Sequence, residues 1–325
     1  MTKALGLMSG GLDSSLAAMT LMRQGIEVTG ISFVTPFFNA EKARRAAEII
    51  GHPLIIEDIG DIHLEMVKNP QYGYGRNMNP CIDCHALMFR LAGEKMARGG
   101  FDFLFSGEVL GQRPMSQNAN ALRSVAKLSG FPDRVLRPLS AKLLAITPME
   151  ESGLVAREQL LDIQGRSRKR QQALATAWGY HDYPPSAGGC LLTEEGFSNQ
   201  LRDLLDHNPQ AAVSDVELLK FGRQFRLSAD AKLVVGRNQT DNDSLQMLAS
   251  PGQIRLRCSS FSGPLGVFCG QPDPTPLHKA AAIVASYGKG KDQPEVEVLC
   301  SGAGEDLVIK VKPMPRVLSR QLLVQ

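Results

Sequence analysis

The stretch that decides the fold is SGGLDSS, residues 9–15. A short apolar segment over residues 4–8 precedes it and predicts a buried parallel strand. Apolar residues at helical spacing follow it up to Gly25, where we expect a helix to end. Glycines at a strand-to-helix turn let the backbone approach an anion, and the hydroxyls and free N–H groups of the first helical turn point at it. The stretch therefore predicts a phosphate-binding loop.

This loop is neither the lysine-containing P-loop nor a Gly-x-Gly-x-x-Gly turn, because it lacks both patterns. The string Ser-Gly-Gly-x-Asp-Ser-Ser resembles the pyrophosphate-binding loop of the PP-loop ATPases. Such enzymes cleave ATP between the α- and β-phosphates and use AMP to activate a carbonyl oxygen, so the resemblance implies ATP and Mg²⁺ as cofactors. A Gly/Ser-rich turn without a ligand is the alternative. The nucleotide-binding residues implied here are Ser9, Gly10, Gly11, Asp13, Ser14 and Ser15, with Asp13 also counted as catalytic.

Composition bounds the class of protein. The 325 residues suffice for two domains, and 43% hydrophobic with 21% charged residues is ordinary for a soluble globular chain. No apolar run approaches the ~20 residues that span a bilayer, and the first residues enter a strand directly, so we expect no membrane contact, no signal peptide and a cytoplasmic location. In that compartment the six cysteines are interpreted as thiols, ligands or redox groups.

Charge is unevenly distributed along the chain. The net charge is +3, and residues 208–325 hold 14 Lys and Arg against 11 Asp and Glu, so the excess lies there. An excess of positive charge of this size is compatible with an RNA partner but does not require one.

Strands alternate with helices in the N-terminal part of the chain. Strands are expected over residues 27–35, 53–59 and 101–107, which predicts an α/β fold with a doubly wound parallel sheet. The resemblance to the PP-loop ATPases implies that this sheet is of the adenine nucleotide alpha hydrolase-like type. Ligands of such sheets lie beyond the carboxyl ends of the strands. Ser32 and Phe33 end the second strand, and in the PP-loop enzymes this stretch meets the adenine, mostly through backbone groups.

A Cys-x-x-Cys pair opens a long amphipathic segment. Asn79 is expected to be the N-cap and Pro80 the first helical residue, which places Cys81 and Cys84 in the first turn, on one face. The helix dipole would lower the pKa of the thiols and favour the thiolate. Half a zinc site, a redox pair, a pair of cluster ligands and two packed thiols all remain open.

Two further motifs carry a more specific resemblance. Residues 106–117 (SGEVLGQRPMSQ) and 135–139 (VLRPL) resemble the tRNA 4-thiouridine synthases, whereas residues 79–84 (NPCIDC) resemble the tRNA 2-thiouridylases. Both families are PP-loop tRNA thiolases, and the match covers roughly residues 3–195. It adds Gly107 and Gln112 to the nucleotide-binding residues. It also matches Cys190, which follows a Pro/Gly-rich turn, to the cysteine that handles sulfur.

A basic cluster opens the next predicted helix. It consists of Arg166, Arg168, Lys169 and Arg170. We expect it to contact the tRNA backbone, a kind of contact that positions the RNA without reading its sequence. A solvated helix end is the alternative.

We place the domain boundary after residue 207, where Asn208-Pro209 breaks a helix. Residues 1–207 then form the PP-loop domain. Residues 208–325, with short strands and one clear helix, form a second, smaller α+β domain.

The C-terminal domain carries a resemblance of its own. Val-Gly-Arg-Asn at residues 235–238, with Asn-Asp at 242–243, resembles the signature of the NFACT RNA-binding domain. The resemblance implies that Arg237 and Asn238 contact RNA, and a structural turn pair is the alternative. The strand cysteines are expected to be packed apolar residues, namely Cys258, Cys269 and Cys300.

These residues together predict an ATP-dependent tRNA sulfurtransferase, with tRNA and a separate sulfur donor, either a cysteine desulfurase or a carrier protein, as partners. Adenylation would make a uridine oxygen a leaving group, and a cysteine persulfide would supply sulfur. Cys190 is the expected carrier and Cys81, with Cys84 second, its resolving partner.

Three alternatives remain open. Cys81, Cys84 and Cys190 could instead ligate a [4Fe–4S] cluster, or zinc with His85 as the fourth ligand. A PP-loop enzyme that activates a carbonyl other than that of tRNA is a second alternative. An RNA-binding protein with a vestigial nucleotide loop is the third.

Overall fold

A computed structural model describes residues 1–185, 189–302 and 304–324. The turn expected before Cys190 includes residues 186–188, which lie outside the described residues. The chain divides into two compact domains, Met1–Thr193 and Glu194–Gln325. No helix in the described ranges has both the length and the apolar character needed to cross a bilayer.

The first domain alternates strands and helices, as predicted. Its strands are β1 (Lys3–Leu7), β2 (Glu27–Val34), β3 (Leu54–Asp58), β4 (Phe103–Ser106) and β5 (Val135–Leu136). Its helices are α1 (Leu12–Met22), α2 (Glu41–Ile50), α3 (Gly60–Lys68), α4 (Cys81–Gly99), α5 (Ala119–Leu128), α6 (Pro148–Glu151) and α7 (Lys169–Ala177).

The strands of this domain form one parallel sheet in the order β3-β2-β1-β4-β5. One face packs Phe103 and Phe105 against the apolar side of α1, and the other packs Leu104 against Phe89 of α4. The doubly wound α/β fold is therefore confirmed. Strand order reverses beside β1, so β1 and β4 border the crevice where ligands of such sheets bind.

The second domain is built on an antiparallel sheet. It contains α8 (Glu195–His207), α9 (Val213–Leu218), β6 (Arg223–Ser228), β7 (Ala231–Val235), α10 (Gln239–Leu248), β8 (Ile254–Cys258), β9 (Gly266–Gly270), α11 (Pro274–Ser286), β10 (Val296–Ser301), β11 (Leu307–Val311) and α12 (Arg316–Gln321). The strand order is β11-β10-β8-β9-β7-β6. Apolar residues of α11 cover one face, and Leu245 of α10 packs on the other. This is the predicted α+β arrangement.

The domain division falls before α8, whereas the sequence suggested a boundary after it. The reason is that Asp203 of α8 pairs with two cations of the second domain. Its carboxylate lies 2.8 Å from Arg226 of β6 and 3.9 Å from Lys232 of β7. An ion pair between elements so far apart in sequence leaves no local signal, whereas Asn208-Pro209 is visible as a break.

The three cysteines of the second domain pack as predicted. Cys300 is buried in the core under α11, Cys258 packs against the edge of that core, and Cys269 packs against the cluster around Leu245. Burial raises the pKa of all three thiols, to about 12 for Cys269 and about 11 for Cys300. They are structural residues.

Candidate active site

The loop after β1 depends on Gly10. Its φ of +69° is the left-handed conformation that favours glycine, and a Cβ atom there would lie 2.1 Å from the carbonyl carbon of Lys42. Gly11 follows as the N-cap of α1, and a Cβ atom on it would meet nothing closer than Ser9 Oγ at 3.5 Å. The backbone of the loop is thus pressed against the start of α2 while its Gly11 side stays open.

Gly107 brings the end of β4 against the same loop. A Cβ atom at this position would lie 2.4 Å from the backbone nitrogen of Ser14 and 2.5 Å from the carbonyl carbon of Asp13. Only a glycine lets the two backbones approach so closely. The segment after β4, which the sequence assigned to the nucleotide site through Gly107 and Gln112, therefore does border the loop.

The serines of the loop differ in what they offer to a ligand. Ser14 Oγ donates a hydrogen bond to the carbonyl oxygen of Gly11 at 2.9 Å and lies 3.2 Å from Ser9 Oγ. Ser15 is fully buried, its hydroxyl lies 3.1 Å from that of Tyr180, and its N–H donates to Gly11. The Ser15 side chain therefore stabilises the buried side of the loop. Its expected role was to bind phosphate.

Asp13 joins three separate segments of the chain. Its Oδ2 accepts a hydrogen bond from Gln112 Nε2 at 2.8 Å and one from Arg168 Nη2 at 3.3 Å. Gln171 in turn donates to Gln112 Oε1 at 3.1 Å. Arg168, which the sequence grouped with the RNA-binding cations, thus lies at the nucleotide loop, because α7 begins beside it.

Three residues of this network also carry a polar atom that could bind a ligand. Asp13 Oδ1, Arg168 Nε and Gln171 Oε1 are all buried, and no hydrogen-bond partner for them lies among the described residues. A carboxylate oxygen is the ligand that Mg²⁺ prefers, and an arginine N–H is a donor suited to phosphate. The residues present therefore fit a nucleotide phosphate with its metal ion.

The other cations of the basic cluster remain on the surface. Arg166, Lys169 and Arg170 are exposed, and Arg170 Nη2 donates to Asp162 Oδ1 at 2.5 Å. The structure thus separates Arg168 from the three neighbours with which it was grouped.

The end of β2 lies next to the loop, because Met8 N–H donates to the carbonyl oxygen of Ile31 at 2.8 Å. Ser32 and Phe33 follow and are 5% and 3% exposed. The Phe33 side chain belongs to the core between the sheet and α4. Any contact of Phe33 with a nucleotide would therefore be made by its backbone, as the resemblance implies.

The helix that carries the Cys-x-x-Cys pair begins at Cys81, and Pro80 rather than Asn79 is its N-cap. The predicted cap is wrong because the Asn79 side chain is used elsewhere. Its Nδ2 lies 3.2 Å from Cys81 Sγ, and its Oδ1 accepts from the N–H of Asn77 at 3.2 Å.

His63 is a site residue that the sequence analysis missed. Its Nε2 lies 3.2 Å from Cys84 Sγ, and its ring packs between Phe37 and Phe38 with both centroid distances at 5.4 Å. Burial lowers the pKa of His63 to about 4, so the imidazole is neutral at pH 7. A lone histidine on α3 carries no motif, and no sequence signal would have found it.

Cys84 lies among other sulfur and carboxylate groups. Burial raises the pKa of its thiol well above the ordinary value, and negative charge on Cys190, Cys81 and Asp83 raises it further. The expectation that the helix N-terminus lowers this pKa is therefore wrong for Cys84. The electrostatic effect of Cys190 also shows that a residue more than a hundred positions away is a neighbour of the pair.

The backbone explains how Cys190 reaches this place. Leu191 N–H donates to the carbonyl oxygen of Phe37 at 3.0 Å, and Asn77 Nδ2 donates to that of Thr193 at 2.7 Å. The segment around Cys190 is thus held between the end of β2 and the loop that leads into α4. The three cysteines singled out in the sequence meet in one region.

These cysteines are not arranged as the ligands of a single metal ion. Within the described ranges, no three His, Cys, Asp or Glu side chains have a geometry that would hold a metal ion. His85, the suggested fourth zinc ligand, instead places its Nδ1 2.8 Å from Glu108 Oε1. The arrangement therefore does not fit a zinc ion held with His85, and the [4Fe–4S] cluster stays a prediction.

Glu108 connects the motifs that carried the resemblance. Its carboxylate binds His85 and, at 2.8 Å, Arg137 Nε, and it also accepts from Ser106 Oγ at 3.1 Å. Burial by itself raises the pKa of Glu108, but the charge of Arg137 and the hydrogen bond from His85 outweigh it and lower the pKa to about 2. Glu108 is therefore ionised and ties α4 to the ends of β4 and β5.

Replacing Glu108 by Gln is expected to lower the free energy of unfolding at pH 7 by about 3–5 kcal/mol, because Arg137 is left as an unpaired buried charge. The folded-state pKa lies below the unfolded one, so this stabilisation is present above about pH 4.5 and is lost as the pH falls toward 2. Urea unfolding of both proteins from pH 7 to pH 3 measures the difference. Asp162→Asn, at an exposed pair, is the control. A difference that does not shrink with falling pH would contradict the assignment.

The signature of the second domain, residues 235–238 with 242–243, mainly stabilises the fold of that domain. Asn238 is the N-cap of α10, and its Oδ1 accepts from the N–H of Asp241 at 2.8 Å. Asp241 binds Arg237 through both oxygens, at 2.7 and 3.2 Å. A Cβ atom at Gly236 would lie 2.1 Å from Asn242 Oδ1. The structural alternative thus describes Asn238, while Arg237 remains half exposed.

Comparison with known families divides the chain in the same way. Residues 1–142 match the model of the thiamine biosynthesis protein ThiI, and residues 222–320 match the model of the NFACT protein RNA binding domain. The chain is similar to PP-loop proteins of tRNA thiolation. The resemblance of the first domain to PP-loop tRNA thiolation proteins is confirmed, and so is that of the second domain to the NFACT RNA-binding domain.

Individual relatives match different shares of the chain, and identity is lower where the match is longer. A tRNA-specific 2-thiouridylase MnmA of Acidothermus cellulolyticus is 25% identical over 340 residues, covering 91% of this chain and 89% of the relative. That of Thermobifida fusca is 27% identical over 66% of this chain and 60% of its own length. That of Dehalococcoides mccartyi is 39% identical over 24% of this chain and 26% of its own length. Among solved structures, a 4-thiouridine synthetase–RNA complex with bound ATP is similar at 20% identity and a TM-score of 0.38, covering 66% of this chain and 52% of that one.

Proposed function

We propose that the chain is an ATP-dependent tRNA sulfurtransferase that replaces a uridine carbonyl oxygen by sulfur. The observation that carries the proposal is the short path between the nucleotide loop and the thiols. Gly107 contacts the backbone of Ser14, the next residue Glu108 binds His85, and His85 follows Cys84 in α4. These contacts support the proposal that one domain holds an activating site and a sulfur site side by side.

The nucleotide loop would bind the phosphates of ATP. Ser9, Gly10, Gly11 and Ser14 lie at the turn where backbone N–H groups face an anion, and Asp13 Oδ1 is the oxygen suited to Mg²⁺. Bound ATP supplies AMP as the leaving group for the uridine oxygen. Gln112 and Arg168 fix the Asp13 carboxylate, so it is oriented before the nucleotide arrives.

Cys190 is the proposed sulfur carrier, loaded as a persulfide by a separate sulfur donor. Its terminal sulfur attacks the activated carbon, and AMP leaves with the former carbonyl oxygen. A second thiol, as it gives its proton to a base, then attacks the Cys190 sulfur, which breaks the S–S bond to the transferred sulfur and releases the thiouridine. The product is a protein disulfide, so a thiol reductant returns two electrons for the next cycle.

We assign the second thiol to Cys84 in place of Cys81. The charge of Cys190 raises the pKa of the Cys84 thiol, which supports Cys84 as a neighbour of the carrier. Neutral His63 at 3.2 Å supports the same choice, because its Nε2 can accept the proton of the Cys84 thiol as that thiol attacks.

Nucleoside analysis tests the function. Mass spectrometry of tRNA from a deletion strain is expected to lack one thiouridine species, which the wild-type gene and a Gly196→Ala variant restore and an Asp13→Asn variant does not. Gly196 is suited as a control, since a Cβ atom there meets nothing within 4 Å. Unchanged thiouridines in the deletion strain would refute the proposal. Equal conversion of ATP to AMP with and without tRNA would indicate a different carbonyl substrate.

A further inference from the structure

Two arginines flank one tyrosine in the second domain. The guanidinium carbon of Arg223, at the start of β6, lies 4.7 Å from the ring centroid of Tyr287. That of Arg316, at the start of α12, lies 4.9 Å from the same centroid. We call this set the arginine–tyrosine cluster. Residues from three separate elements thus converge on one aromatic ring.

Neither arginine of the cluster is neutralised by a carboxylate among the described residues. Within the described part of the chain, the Arg223 side chain donates one hydrogen bond, a long one of 3.5 Å from Nη1 to the carbonyl oxygen of Gly236. Arg226 and Arg237 differ, because each binds an aspartate through two oxygens. The ring holds the two guanidinium groups in place while most of their N–H donors stay unused.

The cluster adjoins other exposed cations. Gly236, which accepts from Arg223, precedes the half-exposed Arg237, and Lys289, two residues after Tyr287, is exposed. Arg223 lies on the face of the sheet that α11 covers, as Phe225 of the same strand shows. The result is a surface that carries several positive charges and one aromatic ring.

We infer that the arginine–tyrosine cluster binds backbone phosphates of an RNA. Planar guanidinium groups match phosphate with two parallel hydrogen bonds, and pairing them with an aromatic ring is typical of surfaces that contact nucleotides. The three residues fall within the range that matches the RNA binding domain model, and the basic excess of the chain lies in the same region. That the RNA is a tRNA rests on the proposed function.

Binding of labelled tRNA to the full chain tests this site. Arg316→Ala, alone and with Arg223→Ala, is expected to weaken binding by about tenfold and about a hundredfold at low salt. The slope of log affinity against log salt is expected to fall by about 0.7–0.9 for each lost phosphate contact. Arg257→Ala is the matched control, because Arg257 hydrogen-bonds to Gln246 of α10 on the opposite face of the sheet. It is expected to bind like the wild type.

The outcomes separate this inference from the proposed function. Wild-type affinity of the double variant, or an equal loss in Arg257→Ala, would overturn the site. Thermal unfolding checks the fold, and Tyr287→Phe, which keeps the ring, is expected to retain binding. If poly-glutamate of equal charge competes as well as tRNA does, the surface binds acidic protein and the RNA assignment fails. Weakened binding by Arg316→Ala in a chain that thiolates no tRNA would support the site and refute the proposed function.

Discussion

Replacing Cys84 by Ser is expected to abolish multiple-turnover thiolation, by about 10³-fold or more, as is replacing Cys190 by Ser. Cys190→Ser removes the atom that carries sulfur, whereas Cys84→Ser removes the thiol that resolves the intermediate. Cys81→Ser is expected to stay within a few-fold of wild type. Thiouridine formed on purified tRNA, with ATP, a persulfide source and a thiol reductant, is the measurement.

The matched control is Cys258→Ser, since that thiol packs in the second domain. Peptide mapping after one turnover without reductant is expected to find a disulfide between Cys84 and Cys190. An inactive Cys81→Ser together with an active Cys84→Ser would contradict the assignment and restore the pairing first expected from the sequence.

Replacing Gly107 by Ala is the second change with a large expected effect. The added Cβ atom would lie 2.4 Å from the backbone nitrogen of Ser14, and a backbone cannot yield as a flexible side chain does. The first turn of α1 must shift, so we expect affinity for ATP to fall at least about tenfold and the free energy of unfolding to fall by about 1–3 kcal/mol. Calorimetric titration with ATP and urea unfolding measure both.

Gly196→Ala controls for the loss of a glycine, because α8 has open space at that position. ATP affinity of Gly107→Ala equal to that of Gly196→Ala would show that the end of β4 and the nucleotide loop are not in backbone contact.

Much of the fold follows from local patterns. The short strands expected in the second domain are present, β7, β8 and β11 among them. Strand β6 escaped prediction because its sequence, RQFRLS, looks polar. Its polar side chains are satisfied by partners distant in sequence, such as Asp203 for Arg226, and no local pattern reveals them.

The same holds for the candidate site: short motifs predict part of it, and contacts between residues far apart in sequence determine the rest. A spacing of glycines and serines identifies the nucleotide loop, and the Cys-x-x-Cys spacing identifies α4. The sequence could not separate Arg168 from Arg170, because both belong to one basic run. Their roles differ only because the fold gives one to Asp13 and the other to Asp162. His63 becomes visible only when α3 meets α4.

The Gly236–Asn242 signature has a consequence for tracing this domain through other chains. Asn238 caps a helix, Asp241 anchors Arg237, and Asn242 Oδ1 accepts from the N–H of Leu265 at 3.0 Å. Because these residues serve the fold, we expect them in any chain that keeps the fold of this domain, whichever ligand its surface binds. A search keyed to the signature will therefore collect the architecture. Whether a domain found in this way binds RNA would then be judged from a second feature. On the inference above, that feature is arginine at the positions equivalent to 223 and 316.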